Sequence, residues 1–216
     1  MTNAAGTPAI RAVFLDALGT MVDLEPPWTT LRAAVGPDVS DERLVRAVKI
    51  EMAYYKEHSH EGRDAESLAD LRGRCATLLS RELGVEVGVD ELVEAIRFDA
   101  YPDAAPALEA LRERGLTLIA VSNWDCSLGT VLERCALAGS LDGVVSSAEA
   151  GAQKPDPLIF QVALQLAGCD ASEVLHVGDT PEEDGDGAAA AGIRCLIVDR
   201  EGGGDIASLT EIESRL

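Results

Sequence analysis

Five short apolar runs divide the 216-residue chain and limit the folds that it can adopt. Each run is rich in Val, Ile or Leu and lacks a clean apolar–polar alternation; they are residues 10–16, 116–122, 142–147, 173–179 and 194–199. Strands that are buried on both faces of a parallel sheet have this pattern, whereas strands with one face in water alternate. We therefore expect five strands in a parallel sheet.

Helical patterns separate the later runs. Residues 103–115 and 127–139 repeat apolar side chains at helical spacing, and residues 156–168 begin with Asp156 as a candidate N-cap. The alternation of strand and helix predicts an α/β fold with a doubly wound, Rossmann-like parallel sheet.

Residues 22–100 interrupt this alternation and show no convincing strand. Amphipathic helices are predicted there at about 41–56, 67–83 and 91–98. The interruption predicts an inserted α-helical cap domain at 22–100, and an α/β core domain made of residues 1–21 and 101–216.

The net charge of −20 limits the partners. It repels nucleic-acid backbones and anionic membrane surfaces, so neither is expected. No apolar run approaches the roughly 20 residues of a membrane span, and Met1–Pro8 lacks the basic and apolar parts of a signal peptide. The five cysteines form no C-x-x-C pair, which favours reduced thiols and a cytoplasmic location.

Polar residues follow the predicted strands where an open parallel sheet places its active site. They are Asp16 and Thr20 after the first strand, Ser122 and Asn123 after the second, Lys154 between the third and fourth, and Asp179 and Asp184 after the fourth. A pair of carboxylates suits Mg²⁺, and a lysine beside them would neutralise a bound anion. Individually, Asp16 also fits a turn cap and Lys154 a solvated loop residue.

Three histidines have weaker signals. His58 and His60 lie two positions apart, so they do not share a helix face and do not predict a metal pair. They fit either a polar helix end or a substrate contact from the cap. His176 lies inside a strand and is interpreted as a satisfied core residue.

Together, four segments make a specific pattern. "FLDALGT", "VSN", "KPDP" and "GDTPEEDGDGAAAAG" follow one another in the order of the motifs of the haloacid dehalogenase-like hydrolase superfamily. The chain resembles the branch of that superfamily in which a helical cap is inserted after the first strand. The resemblance spans nearly the whole chain and is loosest in the cap.

The resemblance implies a role for each residue of the pattern. It makes Asp16 the nucleophile of a covalent intermediate, with Thr20 supporting its loop. Ser122, Asn123 and Lys154 would bind the transferring group. Mg²⁺ would be held by Asp16, Asp179 and the backbone carbonyl of Leu18, with Asp184 as a direct or supporting ligand. The family's usual Asn before this last aspartate is Glu183 here.

Leu18 departs from the family's phosphatases, which usually have a second aspartate there as general acid and base. Its absence leaves three hypotheses: a phosphatase that uses another acid or needs none, a 2-haloacid dehalogenase, and a catalytically impaired binding protein. Under the first, candidate donors from the cap are His58, His60, Lys49 and Lys56.

The charges of the pattern favour the first hypothesis. A metal-free dehalogenase would crowd Asp16, Asp179 and Asp184, and two such charges about 4 Å apart repel by roughly 4 kcal/mol at an effective dielectric of about 20. A binding protein would have no reason to keep Asp16, Lys154 and Asp179 as buried charges. The sequence therefore predicts a Mg²⁺-dependent phosphatase of a small phosphorylated metabolite, as a monomer or homodimer.

Overall fold

A computed structural model of the chain describes residues 9–216 and has a five-stranded parallel sheet at its centre. The segment Met1–Pro8, interpreted above as lacking a signal peptide, lies outside the described residues. In chain order the strands are β1 (Ala12–Leu15), β2 (Val22–Leu24), β3 (Phe98–Ala100), β4 (Thr117–Ser122), β5 (Gly143–Ser146), β6 (Val174–Gly178) and β7 (Arg194–Ile197). The order across the sheet is β5-β4-β1-β6-β7, so all five predicted apolar runs form its strands.

Helices cover both faces of this sheet. In chain order the helices are α1 (Pro27–Val35), α2 (Asp41–His58), α3 (Ala65–Leu83), α4 (Val89–Ala95), α5 (Ala104–Glu113), α6 (Leu128–Arg134), α7 (Ser147–Ala150), α8 (Pro157–Ala167) and α9 (Gly187–Ala190). α5 and α6 pack on the face that carries Val13 and Leu15, and α8 and α9 on the face that carries Ala12 and Phe14. Alternate residues of one strand thus enter two cores, which explains the apolar runs and confirms the predicted α/β class.

The inserted helices α1–α4 have an apolar core of their own. It is formed by side chains of α1, α2, α3 and α4 that include Leu31, Leu44, Leu79 and Leu92. The expectation that residues 22–100 hold no strand is wrong, because β2 and β3 pair antiparallel at the base of this insertion. Each has three residues, which is too short for an alternation to be visible.

Element ends differ from the sequence prediction in two further places. α4 ends at Ala95, since Phe98 already belongs to β3, and α6 ends at Arg134 rather than near 139. Ala136 follows with a left-handed backbone (φ 57°), a conformation that no α-helix continues. Asp156 caps α8 as predicted by accepting from the Leu158 N–H at 2.9 Å.

Across residues 9–216, none of the helices combines the length and the apolar character that crossing a bilayer requires.

Candidate active site

The carboxyl ends of three adjacent strands bring the predicted residues together. Asp16 follows β1, Ser122 ends β4 and Asp179 follows β6, while Lys154 comes from the loop between α7 and α8. Because β1 lies between β4 and β6, its carboxyl end is the centre of this edge. The sheet order therefore makes Asp16 the central side chain of the site.

Asp16 is buried and held at one carboxylate oxygen. Its Oδ1 accepts from Lys154 Nζ at 2.5 Å and from Ser122 Oγ at 2.9 Å. Both donors contact Oδ1, so Oδ2 is the oxygen left for a ligand or an incoming substrate. The hydrogen bonds fix the carboxyl group without occupying this second oxygen.

Lys154 is the buried cation of the site, with a side chain only 1% exposed. Its Nζ also donates to Asp184 Oδ1 at 2.6 Å. Burial alone would lower the pKa of Lys154, but Asp16 and Asp184 outweigh burial and raise the pKa. The ammonium group therefore stays charged, and one of its three N–H donors remains for an anion.

Asp184 is buried and almost saturated by protein donors. Oδ1 accepts from Lys154 and from His176 Nε2 (2.8 Å), and Oδ2 accepts from the Thr180 N–H (3.0 Å). Burial opposes ionisation, but Lys154 and His176 outweigh it and hold the pKa of Asp184 well below its usual range. Asp184 thus carries a permanent negative charge that orients Lys154.

His176 is buried on β6, but it does more than fill the core. Its Nε2 contacts Asp184, and its ring meets the edge of Phe160 at a centroid distance of 4.9 Å. Burial lowers the pKa of His176, so the ring is neutral and donates its Nε2 proton to the carboxylate. The interpretation as a core residue missed this link to the site, because nothing in the apolar run around His176 indicates a partner eight residues away.

Asp179 is exposed, and its Oδ1 accepts from Thr180 Oγ1 at 3.1 Å. The expectation of three buried charges at Asp16, Lys154 and Asp179 is therefore wrong for the last of them. Burial of part of the carboxyl group, with the neighbouring Asp184 charge, raises the pKa of Asp179. The exposed carboxylate lies where solvent and a ligand can reach it.

Two glycines make room for these carboxylates. A Cβ at Gly19, whose φ is 82°, would clash with Asp179 Oδ2, and a Cβ at Gly178 would clash with the carboxylate of Asp184. Only glycine permits this close approach, and at Gly19 it also removes the strain of a left-handed backbone. The loop after β1 and the end of β6 are thus shaped around the acidic side chains.

The three carboxylates form one cluster that suits a hard divalent cation. Asp16, Asp179 and Asp184 each offer an oxygen, and these oxygens lie within 4.8 Å of one another. Three carboxylates against the single ammonium of Lys154 leave two negative charges. Burial, together with the charges of Asp184 and Asp179, raises the pKa of Asp16 to about 7 despite the neighbouring Lys154 ammonium. A divalent cation with oxygen ligands, such as Mg²⁺, fits this donor set and its charge.

The side chain of Asn123 forms hydrogen bonds with other residues of the protein. Its Oδ1 accepts from the Lys154 N–H at 2.7 Å, and its Nδ2 donates to the Lys154 carbonyl and to Glu183 Oε2, each at 3.0 Å. Asn123 therefore fixes the backbone that carries the lysine. Glu183 in turn contacts Lys56 Nζ of α2 at 2.7 Å, which connects the site to the inserted helices.

Thr20 and Leu18 both lie in the loop after the candidate nucleophile Asp16, but one side chain is buried and the other is exposed. Thr20 is fully buried, and its Oγ1 has no hydrogen-bond partner among the described residues. Its carbonyl oxygen accepts from Arg200 Nη2 at 2.7 Å, so it acts through the backbone of its loop. The Leu18 side chain is 40% exposed and presents an apolar surface beside Asp16.

The structure does not join His58 to the carboxylate cluster. Its Nδ1 donates to the Tyr54 carbonyl oxygen at 2.8 Å, and its ring stacks on Tyr54 with centroids 4.1 Å apart. His60 is half-buried in the turn after α2, and within residues 9–216 its Nδ1 has no hydrogen-bond partner. The inserted helices reach the sheet core instead through Lys56 and through Tyr55, whose hydroxyl donates to Asp125 Oδ2 at 2.7 Å.

Removing the buried ammonium should destabilise the protein strongly. Lys154→Met leaves two buried carboxylates without their cation, which costs about 3–5 kcal/mol. For a chain of this size, thermal unfolding in chelator should then occur roughly 6–20 °C lower. Arg11→Met is the control, because it removes the cation of an exposed pair with Glu173 and should cost less than about 1 kcal/mol. Equal melting temperatures for the two variants would contradict this account of Lys154.

A protein-family model described as a haloacid dehalogenase-like hydrolase matches residues 10–192. The match includes the loops that carry Asp16, Ser122, Lys154 and Asp179. It covers the sheet core and the inserted helices together.

The curated relatives of the chain are named for two different activities. The chain is 36% identical over 146 residues to the protein named Phosphoserine phosphatase of Thermus thermophilus, a match that covers 62% of this chain and 59% of that protein. It is 30% identical over 198 residues to the protein named (S)-2-haloacid dehalogenase 4A of Burkholderia cepacia, covering 90% of this chain and 85% of that protein. In further relatives at 35–41% identity, the chain spans 38–59% of their length.

A solved structure agrees over nearly the whole chain. The structure described as a HAD phosphatase from Thermococcus onnurineus has a TM-score of 0.70 and is 22% identical, and the match covers 95% of this chain and 97% of that one. This likeness supports the α/β fold with its inserted helices.

Proposed function

The chain belongs to the haloacid dehalogenase-like hydrolase family, and from this premise we propose that it is a Mg²⁺-dependent phosphatase of a small phosphorylated metabolite. The observation that carries the proposal is the carboxylate cluster of Asp16, Asp179 and Asp184 around one buried lysine. Its uncompensated negative charge would repel a phosphate ester. A bound divalent cation would offset this negative charge and attract the phosphate group. A metal ion and an anionic substrate together therefore account for the three carboxylates.

The residues of the site have distinct tasks in the proposed reaction. Asp16 Oδ2 attacks the phosphorus atom, the bond from phosphorus to the leaving oxygen breaks, and an aspartyl-phosphate forms. Water then attacks the phosphorus and releases phosphate and the Asp16 carboxylate. In the protein without substrate, Ser122 and Lys154 hold the carboxylate at Oδ1, which leaves Oδ2 free for the attack.

Binding of the phosphoryl group uses Lys154 and the acidic pair. The free N–H of Lys154 donates to a phosphoryl oxygen, while Asp184 and the Asn123 side chain keep the lysine in place. Asp16, Asp179 and the Leu18 carbonyl oxygen would hold Mg²⁺, with Asp184 beside them. The bound ion would neutralise charge on the transferring oxygens and lower the barrier to attack.

The inserted helices serve as a cap in this proposal. Tyr55 and Lys56, neighbours near the end of α2, contact Asp125 and Glu183 of the sheet core. A backbone hydrogen bond also joins the two parts, from the Cys126 N–H to the Gly62 carbonyl oxygen at 2.8 Å. These contacts would open to admit a substrate and close again to exclude water. The cap also supplies the groups that select the substrate, with His60 and Lys56 as candidates near the core.

The absence of an acidic side chain at position 18 limits the range of substrates. A leaving alkoxide needs a proton, and loss of a general acid costs about 10²–10⁴-fold in rate. An acyl, aryl or phosphoanhydride leaving group is a weaker base and needs the proton less. We therefore expect the substrate to have an acidic leaving group, or a side chain of the cap to donate the proton.

Dehalogenation of a 2-haloacid is the second candidate. It is favoured by the match to (S)-2-haloacid dehalogenase 4A, which covers 90% of this chain, and by Leu18, since a departing halide needs no proton. The surplus negative charge of the carboxylate cluster counts against it, because this chemistry gives no reason to gather three carboxylates.

One substrate panel separates the two candidates. Phosphate esters, acyl phosphates, pyrophosphate and 2-haloacids are incubated with the protein in Mg²⁺ and, separately, in chelator. Phosphate release that requires Mg²⁺ supports the proposal. Halide release that is insensitive to chelator supports the second candidate and ends the first.

A further inference from the structure

The chain passes between the sheet core and the inserted helices at two adjacent points. β2 follows Met21 directly, and Tyr101 follows the end of β3. The Tyr101 N–H donates to the Met21 carbonyl oxygen at 3.0 Å, and Val22 pairs with Ala100. We call these two points the first crossing (Met21–Val22) and the second crossing (Ala100–Tyr101). Any movement of the inserted helices relative to the core bends the chain at these two crossings.

Arg200 reaches both crossings from the segment after β7. Its Nη2 donates to the Thr20 carbonyl oxygen at 2.7 Å, and its Cζ lies 3.6 Å from the centroid of the Tyr101 ring. Its Nη1 donates to both carboxylate oxygens of Asp103 at 3.0 Å. One guanidinium group thus contacts the first crossing, the second crossing and the residue that precedes α5.

Asp103, which accepts the hydrogen bonds from Arg200, is itself held by other residues. Asp103 Oδ2 also accepts from Ser208 Oγ and from the Leu209 N–H, each at 2.8 Å. The Asp103 carboxylate, at the start of α5, therefore binds both the segment after β7 and the start of the C-terminal turn Leu209–Arg215. The carboxylate that binds Arg200 is therefore held by hydrogen bonds from two further groups.

Thr20 connects Arg200 to the nucleophile candidate. The N–H groups of Thr20, Met21 and Val22 all donate to the carbonyl oxygen of Ala17, at 3.3, 2.8 and 2.9 Å. Ala17 directly follows Asp16, so a shift of the Thr20 carbonyl displaces the backbone next to the reacting carboxylate. A misplacement of about 1 Å in an active site costs about 10²-fold in rate.

Only arginine makes this set of contacts. Its planar guanidinium offers five donors in a fixed fork and stacks on an aromatic face, whereas lysine has a compact ammonium on a flexible stem. We propose that Arg200 is a positioning residue that couples the loop of Asp16 to both crossings of the inserted helices. It touches no substrate and acts through Thr20. The inference rests on the proposed function in taking Asp16 as the attacking group.

Arg200→Lys tests the inference with two independent readouts. kcat should fall about 10- to 100-fold while KM changes by less than about threefold, because the reacting carboxylate moves and substrate binding does not. Amide hydrogen exchange at Met21 and Tyr101 should become about tenfold faster, since the crossings lose their clamp. The matched control is Arg112→Lys, because Arg112 also bridges a carboxylate (Asp142) and a carbonyl (Ser140) but lies at the opposite edge of the sheet.

The outcomes separate this inference from the proposed function. kcat is measured on whichever substrate the wild-type protein turns over, and if it turns over none, the proposed function fails while the exchange readout still tests Arg200. Wild-type kcat, or unchanged exchange at both amides, overturns the inference, as does an equal loss in Arg112→Lys. If Arg200→Lys does not fold, Asp103→Asn, which weakens the support of Arg200, should change both readouts in the same direction and by less; no change overturns the inference.

Discussion

Asp16→Asn should lower kcat by about 10⁴-fold or more, the size of loss seen when a nucleophile is removed from an enzyme. An amide oxygen is a poor nucleophile, so no covalent intermediate forms. Folding should survive, because the amide oxygen still accepts from Ser122 and Lys154 keeps its pair with Asp184. Initial rates on the best substrate of the panel, with melting temperatures, measure both effects.

The control for this loss is the same chemical change elsewhere. Asp64→Asn alters the N-cap of α3, where Asn caps as well as Asp, and should leave kcat unchanged. Full activity in Asp16→Asn would mean that another group attacks the substrate. An equal loss in both variants would mean that the effect comes from folding rather than chemistry.

Leu18→Asp should produce the largest gain, raising kcat on alkyl phosphates by about 10²–10⁴-fold. The added carboxylic acid would protonate the leaving alkoxide and then activate water for hydrolysis of the aspartyl-phosphate. Because the Leu18 side chain is 40% exposed, the substitution should cost little stability. Acyl and aryl phosphates should gain much less, since their leaving groups need no proton.

Leu18→Asn is the matched control for that gain. It has the shape and polarity of the aspartate variant but no acidic proton to transfer, so its rate on alkyl phosphates should stay at the wild-type level. An equal gain in both variants would show that polarity or space, rather than acid catalysis, limits the wild-type protein. No gain in Leu18→Asp would indicate a different source of the proton.

The sheet was predictable because buried parallel strands must be apolar along their whole length. β1, β4 and β6 also carry a polar residue where they end, so the meeting of Asp16, Ser122 and Asp179 at one edge followed from the fold class. The short strands β2 and β3 were not predictable, since a three-residue strand has too few positions for any pattern.

Long-range contacts between polar side chains were also hidden from the sequence. Arg200 lies 180 residues from Thr20, and its segment has no feature that distinguishes it from a solvated loop. The pairing of Glu183 with Asn123 and Lys56 depends on how the inserted helices dock, which no local pattern encodes. The exposure of Asp179 depends on the turn that follows it, although the residue comes directly after the buried strand β6.

The central claim is that Asp16 forms a phosphorylated intermediate. The most direct measurement is mass spectrometry of peptides from protein that is quenched in acid during turnover of a phosphorylated substrate. A phosphoryl group on the peptide that contains Asp16, present in Mg²⁺ and absent in Asp16→Asn, is the predicted result. Release of phosphate with that peptide unmodified, or with the phosphoryl group on another residue, would contradict it.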